Sequence, residues 1–307
     1  MALKGLYLQR FYPEPELRIM SDFDLLIHSR DLEGSHAILE ESGYSVMSKD
    51  DILTTYIKSD CKNIELHTSL FHKIMSDNIG IFDKSVWTNT LMIKIGQVDA
   101  RTLSISNTMI YIVLHFIKHL KTGGARLRQL ADIVLFVENN ENEINWKYFW
   151  EIINENSCTR TAIVLFETCI KYFDLKKLSK QQHNNTMVTD SDTELFISNI
   201  LVNEVYDGRS RAHLIGNSVG RIAYNKKYSL INRRKNIFIG FIYFVFPRYE
   251  LMSRRDPYLK KYPFLLPIAW LNRIIYRVFI KKDNPKDIFK IFSIAISKKS
   301  FLDKMDL

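Results

Sequence analysis

The sequence predicts an α+β fold in which a first domain of mixed strands and helices is followed by a mainly helical region. Short alternating or apolar runs at residues 23–28, 63–67 and 90–95 indicate strands, and the stretch at 32–42 has helical spacing. Such a mixture is typical of α/β or α+β domains. From Ser106 the apolar residues recur at helical spacing instead. The chain has 307 residues, which suggests about two domains.

The helical region is predicted to hold several short helices and one linker. Its first helix has Ser106 or Asn107 as N-cap and Gly123-Gly124 as its stop signal. The stretch at 179–192 is polar with little periodicity, which indicates a loop or linker. We therefore predict a first domain at 1–105, a helical domain at 106–178, a linker at 179–192 and a basic, aromatic-rich helical region at 193–307.

Composition and charge narrow the class of protein. The three cysteines lack CxxC spacing, so the sequence favours neither a disulfide framework nor a zinc cluster. There is no signal-peptide pattern, and no run reaches the roughly 18 uncharged residues of a membrane-spanning helix. We therefore expect a cytoplasmic protein. The net charge of +9 favours anionic partners, which include nucleoside triphosphates, nucleic acid, anionic lipid and phosphorylated intermediates.

Carboxylates on two predicted strands form the main candidate site. Asp22 and Asp24 lie two residues apart at the start of an apolar strand, so both face one side, while Phe23 and Leu25 are expected to face the core. A later strand at 63–67 carries Glu65 and His67 with the same two-residue spacing, which is expected to bring a third carboxylate beside the first two. Adjacent acids repel one another, and a shared divalent cation is the usual reason for such a group. Oxygen ligands suit Mg²⁺ or Mn²⁺, and three acids allow a two-metal site.

A Lys4-Gly5 pair precedes a predicted short helix near the N-terminus. Glycine at a helix N-terminus lets backbone N–H groups approach a triphosphate closely. Alone this pair is a weak signal, and an isolated DxD is common on protein surfaces. The order of the features is more specific: a glycine, a basic residue, the DxD on an apolar strand and a carboxylate on a later strand.

These motifs resemble the uncharacterised nucleotidyltransferase family of bacterial biosynthetic clusters, within the polymerase-β superfamily. The first domain carries the resemblance at Leu3-Lys4-Gly5, Tyr12-Pro13, Arg18, Ser21-Asp22-Phe23-Asp24-Leu25-Leu26 and Ile64-Glu65-Leu66-His67. Later residues that are similar are His115, His119, Leu127-Arg128, Asp132, Phe246-Pro247 and Tyr262-Pro263 through Arg273. The resemblance implies a polymerase-β-type nucleotidyltransferase domain with a small mixed sheet, followed by the helical region.

The resemblance also implies roles for individual side chains. Asp22, Asp24 and Glu65 would hold the metal, Mg²⁺ or Mn²⁺, and act in catalysis with an NTP as the nucleotidyl donor. Glu65 would also help to activate the acceptor hydroxyl. The candidate nucleotide-binding residues are Lys4, Gly5, Arg18, His67, His119 and Arg128.

Several of these nucleotide-binding candidates have a second interpretation. Arg18 is either a phosphate ligand or a solvated arginine before a strand. His67 either orients a carboxylate or phosphate or simply packs, and His119 either contacts the nucleotide or acceptor or is a hydrogen-bonded core residue. Arg128 either binds the triphosphate or forms a surface ion pair with Asp132, four residues along the same helix.

The sequence therefore predicts transfer of a nucleotidyl group from an NTP to a hydroxyl or phosphate acceptor, with release of pyrophosphate. The acceptor is a small metabolite, a glycan precursor or a peptide natural product. Only three residues precede Lys4-Gly5, and Leu6 stands where many superfamily members have Ser. These departures prompt the alternative of a noncatalytic nucleotide-binding protein. The net positive charge prompts a second alternative, an RNA-directed nucleotidyltransferase or toxin, although no aromatic-basic nucleic-acid motif is evident.

The basic, aromatic C-terminal region suggests one more partner. Its apolar stretches at 236–246 and 263–280 are too short or too charged to span a membrane. They are predicted to form amphipathic helices that either lie on an anionic membrane or pack on other helices. The basic residues of this region are Arg233, Arg234, Lys235, Arg254, Arg255, Lys260, Lys261, Arg273, Arg277, Lys281 and Lys282.

Overall fold

The structure is a computed structural model that describes residues 1–71, 82, 85–122, 124–176, 187–206, 215–219, 242–276 and 288–307. Strands and helices mix in the first part of the chain and helices follow, which confirms the predicted α+β class with a small mixed sheet. The chain divides into two compact units, Met1–Lys118 with Arg126–Thr193, and His119–Ala125 with Glu194–Leu307. Some predicted features lie outside the described residues: Gly123, most of the linker at 179–192, residues 236–241, Arg233, Arg234, Lys235, Arg277, Lys281 and Lys282.

The first unit contains two groups of strands. Four strands pair in the order β1-β4-β3-β2, with β1 and β4 parallel and the other pairs antiparallel. The β5–β6 hairpin is antiparallel and turns at Gly96, whose φ of 61° suits glycine. The strand bounds are β1 Asp22–Leu26, β2 Ser45–Lys49, β3 Leu53–Ile57, β4 Asn63–His67, β5 Thr90–Ile95 and β6 Val98–Leu103.

The first three residues link the four-stranded sheet to the hairpin. Ala2 forms an isolated bridge with Leu25 of β1 and another with Thr102 of β6. The Leu3 amide donates to the carbonyl of Asp24, and the Thr102 hydroxyl donates to the carbonyl of Ala2. This segment is buried, so its backbone groups need such partners. The segment therefore fixes where the chain enters the helix that follows it.

The first unit also contains helices, and the third of them extends at its end into the second unit. Their bounds are α1 Lys4–Leu8, α2 Leu32–Glu41, α3 Ile105–Thr122, α4 Leu127–Asn140, α5 Trp146–Glu155 and α6 Thr159–Phe173. Most of α3 is buried because its apolar residues cover nearly the whole helix surface. The predicted N-cap of this helix is wrong: the helix begins at Ile105, and Ser104 Oγ accepts a hydrogen bond from the Asn107 amide. Ser104 therefore occupies the capping position, two residues before Ser106 and three before Asn107.

The second unit is helical in its described part. Its principal helices are α7 Asp190–Tyr206, α8 Tyr249–Arg255, α9 Leu266–Ile275 and α10 Ile288–Met305, of which α7 begins at the end of the first unit. Met252, Leu259 and Ala269 form a small core between α8 and α9, and Trp270 Nε1 donates to the Pro247 carbonyl at 2.8 Å. None of the described helices is both long and apolar enough to cross a membrane.

Candidate active site

The parallel pairing of β1 with β4 brings the predicted acidic residues together. The register aligns Asp24 with Glu65 and Leu26 with His67, so their side chains lie on the same face of the sheet. The sequence predicts that Phe23 and Leu25 face the core, but they are only half-buried, whereas Asp24 and Leu26 are 4% and 1% exposed. On β1 the face that carries Asp24 is therefore the more deeply buried one, and polar groups there need partners.

Asp24, Glu65 and His67 form a compact group of potential metal ligands. One donor atom from each side chain lies within 4.8 Å of the others. His67 Nε2 is 3.1 Å from Asp24 Oδ1 and 3.5 Å from Glu65 Oε2. Burial alone would lower the pKa of His67, but hydrogen bonding to the two carboxylates raises it overall. The imidazole is thus held between two anionic groups.

Lys4 supplies a positive charge to the same group. Lys4 is the first residue of α1, and its ammonium Nζ lies 2.9 Å from Asp24 Oδ1. Burial would raise the pKa of Asp24, yet the Lys4 ammonium and the His67 ring hold that pKa well below its usual range. Asp24 is therefore ionised at neutral pH, which is the state that a cation requires.

Asp22 is near this group but does not belong to it. Burial, and then the Asp24 carboxylate, raise the pKa of Asp22, while Lys4 acts in the opposite direction. The sequence predicts Asp22, Asp24 and Glu65 as metal ligands, whereas the structure gathers Asp24, Glu65 and His67. The predicted participation of Asp22 stays a prediction.

The gathered side chains fit a divalent cation by their chemistry. Two carboxylates suit Mg²⁺ or Mn²⁺, and the His67 imidazole is a ligand typical of transition-metal ions. Neighbouring carboxylates in a buried site also repel each other, which a cation between Asp24 and Glu65 relieves. Within the described residues, the group can therefore hold one cation through two oxygen ligands and one nitrogen ligand.

Gly5 is buried, and two side chains occupy the space where its Cβ would lie. A Cβ built on Gly5 would come within 2.5 Å of Met20 Sδ and 2.9 Å of Arg18 Nη1. These distances are too short for real contacts, so glycine permits this close packing. The predicted approach of a triphosphate to Gly5 stays a prediction.

Arg18 pairs with a buried carboxylate of α4. Arg18 Nε and Nη2 donate to the two oxygens of Asp132 at 2.7 and 2.8 Å, and the Tyr12 hydroxyl donates to Asp132 Oδ1 at 2.8 Å. Arg18 is 5% and Asp132 6% exposed, so the interpretation of Arg18 as solvated is wrong. The interpretation of Asp132 as the surface partner of Arg128 is also wrong, since Arg128 Nη1 donates to the Ile19 carbonyl instead. Phosphate binding by Arg18 or Arg128 stays a prediction.

The helix α3 presents half-buried polar residues at helical spacing, namely His115, Lys118 and His119. His115 packs against the Tyr111 ring, with centroids 5.7 Å apart. His119 belongs to the segment that clusters with the second unit, and its predicted nucleotide contact is untested. Lys118 is absent from the predicted site, yet its ammonium interacts electrostatically with Lys4, Glu65 and Asp24. Burial, and then Lys4, lower the pKa of Lys118. The available signal was a lysine within an otherwise apolar helical run.

Comparison with known proteins gives a family match over the first part of the chain. A family model described as uncharacterised nucleotidyltransferase matches residues 1–174. No curated protein and no solved structure matches the chain. The matched region contains both groups of strands and the helices α1 to α6, and therefore all the residues of the acidic group. Because the match covers more than half of the 307 residues, the chain belongs to the uncharacterised nucleotidyltransferase family.

Proposed function

We propose that this protein is a metal-dependent nucleotidyltransferase of the polymerase-β superfamily. It transfers a nucleotidyl group from an NTP to a hydroxyl or phosphate acceptor and releases pyrophosphate. The observation that carries this proposal is the meeting of Asp24, Glu65 and His67 within 4.8 Å in a chain of a nucleotidyltransferase family. Acceptors of the small-metabolite, glycan-precursor or peptide class are all compatible with this chemistry, as is a biosynthetic role in bacteria.

The reaction requires one bond to form and one to break at the α-phosphorus. The acceptor oxygen attacks that phosphorus, the bond to the oxygen bridging the α- and β-phosphates breaks, and pyrophosphate leaves with the electron pair. A divalent cation bound by the acidic group would stabilise the charge on the attacking and leaving oxygens. Phosphoryl transfer needs little else from a protein besides positioning and charge.

The protein's own side chains have distinct roles in the proposed reaction. Glu65 has a side chain that is 24% exposed, against 4% for Asp24, so Glu65 is the carboxylate better placed to accept the proton of an acceptor hydroxyl. The ammonium groups of Lys4 and Lys118 offset the negative charge of the triphosphate. Asp22 adds ligands where a second cation is bound.

Transfer of a labelled α-phosphate tests this function directly. The full chain is incubated with Mn²⁺ or Mg²⁺, each of the four α-³²P NTPs and a cell extract that supplies acceptors. The proposal expects metal-dependent label on a new product, with no such product from Asp24→Asn. Metal-dependent NTP binding without any labelled product would favour the noncatalytic alternative. Label that disappears after ribonuclease treatment would favour the RNA-directed one.

We also propose that the second unit contacts an anionic membrane through α9. A stripe of apolar side chains at helical spacing is exposed there, with cationic side chains nearby. The exposed apolar residues are Phe264 (75%), just before α9, and Ile268 (54%), Leu271 (60%) and Ile275 (45%) on it. The exposed Lys260 and Lys261 precede this stripe, whereas Arg273 lies on the opposite side of α9, over the Phe244 ring. An apolar stripe beside basic groups is the arrangement of helices that lie in the surface of anionic membranes.

A further inference from the structure

The described part of the second unit contains a cavity of about 310 Å³ that is unrelated to the acidic group. It lies between α7, α10 and the helical segment at 215–219. Its wall includes Asn199 of α7, Asn217 of that segment, and Ser293 and Ser297 of α10. Ligand pockets typically have volumes of roughly 300–1,000 Å³ with a few placed polar groups. The cavity therefore has the size and the mixed lining of a small-molecule site.

Two amide side chains in the cavity wall are buried without hydrogen-bond partners among the described residues. They are Asn199, at its Oδ1 atom, and Asn217, at its Nδ2 atom. Asn217 is 8% exposed, so bulk water does not easily satisfy its amide. Leaving such a group unpaired costs about 1–3 kcal/mol. A ligand with its own donors and acceptors would recover that cost for both amides.

Close backbone packing holds Asn217 at the cavity. A Cβ built on the preceding residue, Gly216, would come within 2.6 Å of Ile294 Cβ and 2.9 Å of the Ile291 carbonyl oxygen. Only glycine allows this approach, because the obstacles are a branched side chain and backbone of α10. The segment at 215–219 is thus packed tightly against α10, which gives the Asn217 amide a defined position.

The charge of the cavity wall favours an anion. Lys290 and Lys298 are among its lining residues, and none of the described lining residues is acidic. Lys298 is 2% exposed, donates to the Leu120 carbonyl at 2.6 Å and lies over the Phe301 ring at 5.1 Å. A buried ammonium in a pocket of this kind favours an anionic group. The serine hydroxyls beside it can both donate and accept.

We propose that this cavity binds a small phosphorylated polyol of the sugar phosphate class. The phosphate would face the lysines, and the hydroxyl groups would face the two amides and the serines. The volume corresponds to about ten water molecules at roughly 30 Å³ each, which accommodates a monosaccharide phosphate. This binding site belongs to the second unit alone, so it stands independently of nucleotidyl transfer by the first.

Calorimetric titration of the full chain tests the proposal, with EDTA present so that no cation is held by the acidic group. The probes are glucose 6-phosphate, glucose and inorganic phosphate. We expect glucose 6-phosphate to bind more tightly than either of the other two. Asn217→Leu should weaken that binding at least about tenfold, because it removes a hydrogen bond to a buried group.

The stability of the variants separates this role from a structural one. Asn217→Leu should keep or raise the unfolding temperature of the ligand-free protein, since it removes a buried unpaired amide. Ser297→Ala provides a second variant with weakened binding, and Asn139→Leu on α4 is a control that should bind as the wild type does. Failure of all three probes to bind would overturn the proposal. So would binding that survives both cavity variants, or inorganic phosphate binding as tightly as glucose 6-phosphate.

Discussion

Asp132→Asn should strongly destabilise the first unit because it leaves a buried arginine without a counter-charge. Asp132 accepts two hydrogen bonds from the Arg18 fork at 2.7 and 2.8 Å and a third from Tyr12, and both charged residues are about 95% buried. Breaking a buried pair of this kind by removing one partner costs about 3–5 kcal/mol. Urea unfolding followed by tryptophan fluorescence gives the change in the free energy of unfolding.

An exposed ion pair in the same unit is a matched control. Lys171 Nζ lies 2.7 Å from Asp190 Oδ1, the same separation as in the buried pair, but the Asp190 side chain is 86% exposed. Asp190→Asn should therefore cost at most about 1 kcal/mol. Replacing both buried partners, as in Arg18→Met with Asp132→Leu, should cost less than Asp132→Asn alone. Equal losses in the free energy of unfolding for Asp132→Asn and Asp190→Asn would show that burial does not set the cost of breaking the pair.

Three further predictions concern packing, metal binding and membrane contact. Gly5→Ala should lower the free energy of unfolding by about 1 kcal/mol in urea titrations, because its Cβ would displace the ends of the Met20 and Arg18 side chains and Arg18 is held in place by Asp132. Gly34→Ala, within α2 and with open space around its Cβ, should raise it by about 0.5–1 kcal/mol. Lys4→Met should tighten Mn²⁺ binding in calorimetry, because the ammonium at 2.9 Å no longer competes for Asp24, and should slow pyrophosphate release; weaker Mn²⁺ binding would contradict this. The wild-type protein should co-sediment with vesicles that contain phosphatidylserine, and a smaller fraction of Leu271→Glu should do so. Equal co-sedimentation of the two proteins would contradict the role of α9.

Local spacing was sufficient to predict the strands of the acidic group. The two-residue repeats at Asp22 and Asp24 and at Glu65 and His67 showed which side chains share a face. The parallel register then places Asp24 opposite Glu65, as the prediction of adjacent strands requires. Spacing alone does not show which acid lies deepest or how each side chain is turned. For that reason only the structure shows that His67, and not Asp22, completes the group with Asp24 and Glu65.

Contacts between distant parts of the sequence were beyond prediction from local patterns. Arg18 and Asp132 are separated by 114 positions, while the helical period pointed to Arg128 as the nearer partner. The proximity of Lys118 to Asp24 likewise depends on how α3 packs against the sheet, which periodicity does not specify. The prediction of the helix cap failed for a local reason, since Ser104 and Ser106 are both good capping residues and Ser104 directly follows the last residue of β6.

Metal-dependent nucleotidyl transfer by the acidic group should release pyrophosphate, and this release is the measurement that decides whether the proposed function is right. Release is measured with the productive NTP, acceptor and Mn²⁺ for the wild type, Asp24→Asn, Glu65→Gln and the control Asp99→Asn, which changes an exposed carboxylate of β6. We expect a loss of at least about a hundredfold for Asp24→Asn and Glu65→Gln, with unchanged release for Asp99→Asn and none in EDTA. Release that persists in EDTA, or that Asp24→Asn leaves at the wild-type rate, would contradict metal-dependent transfer by the acidic group.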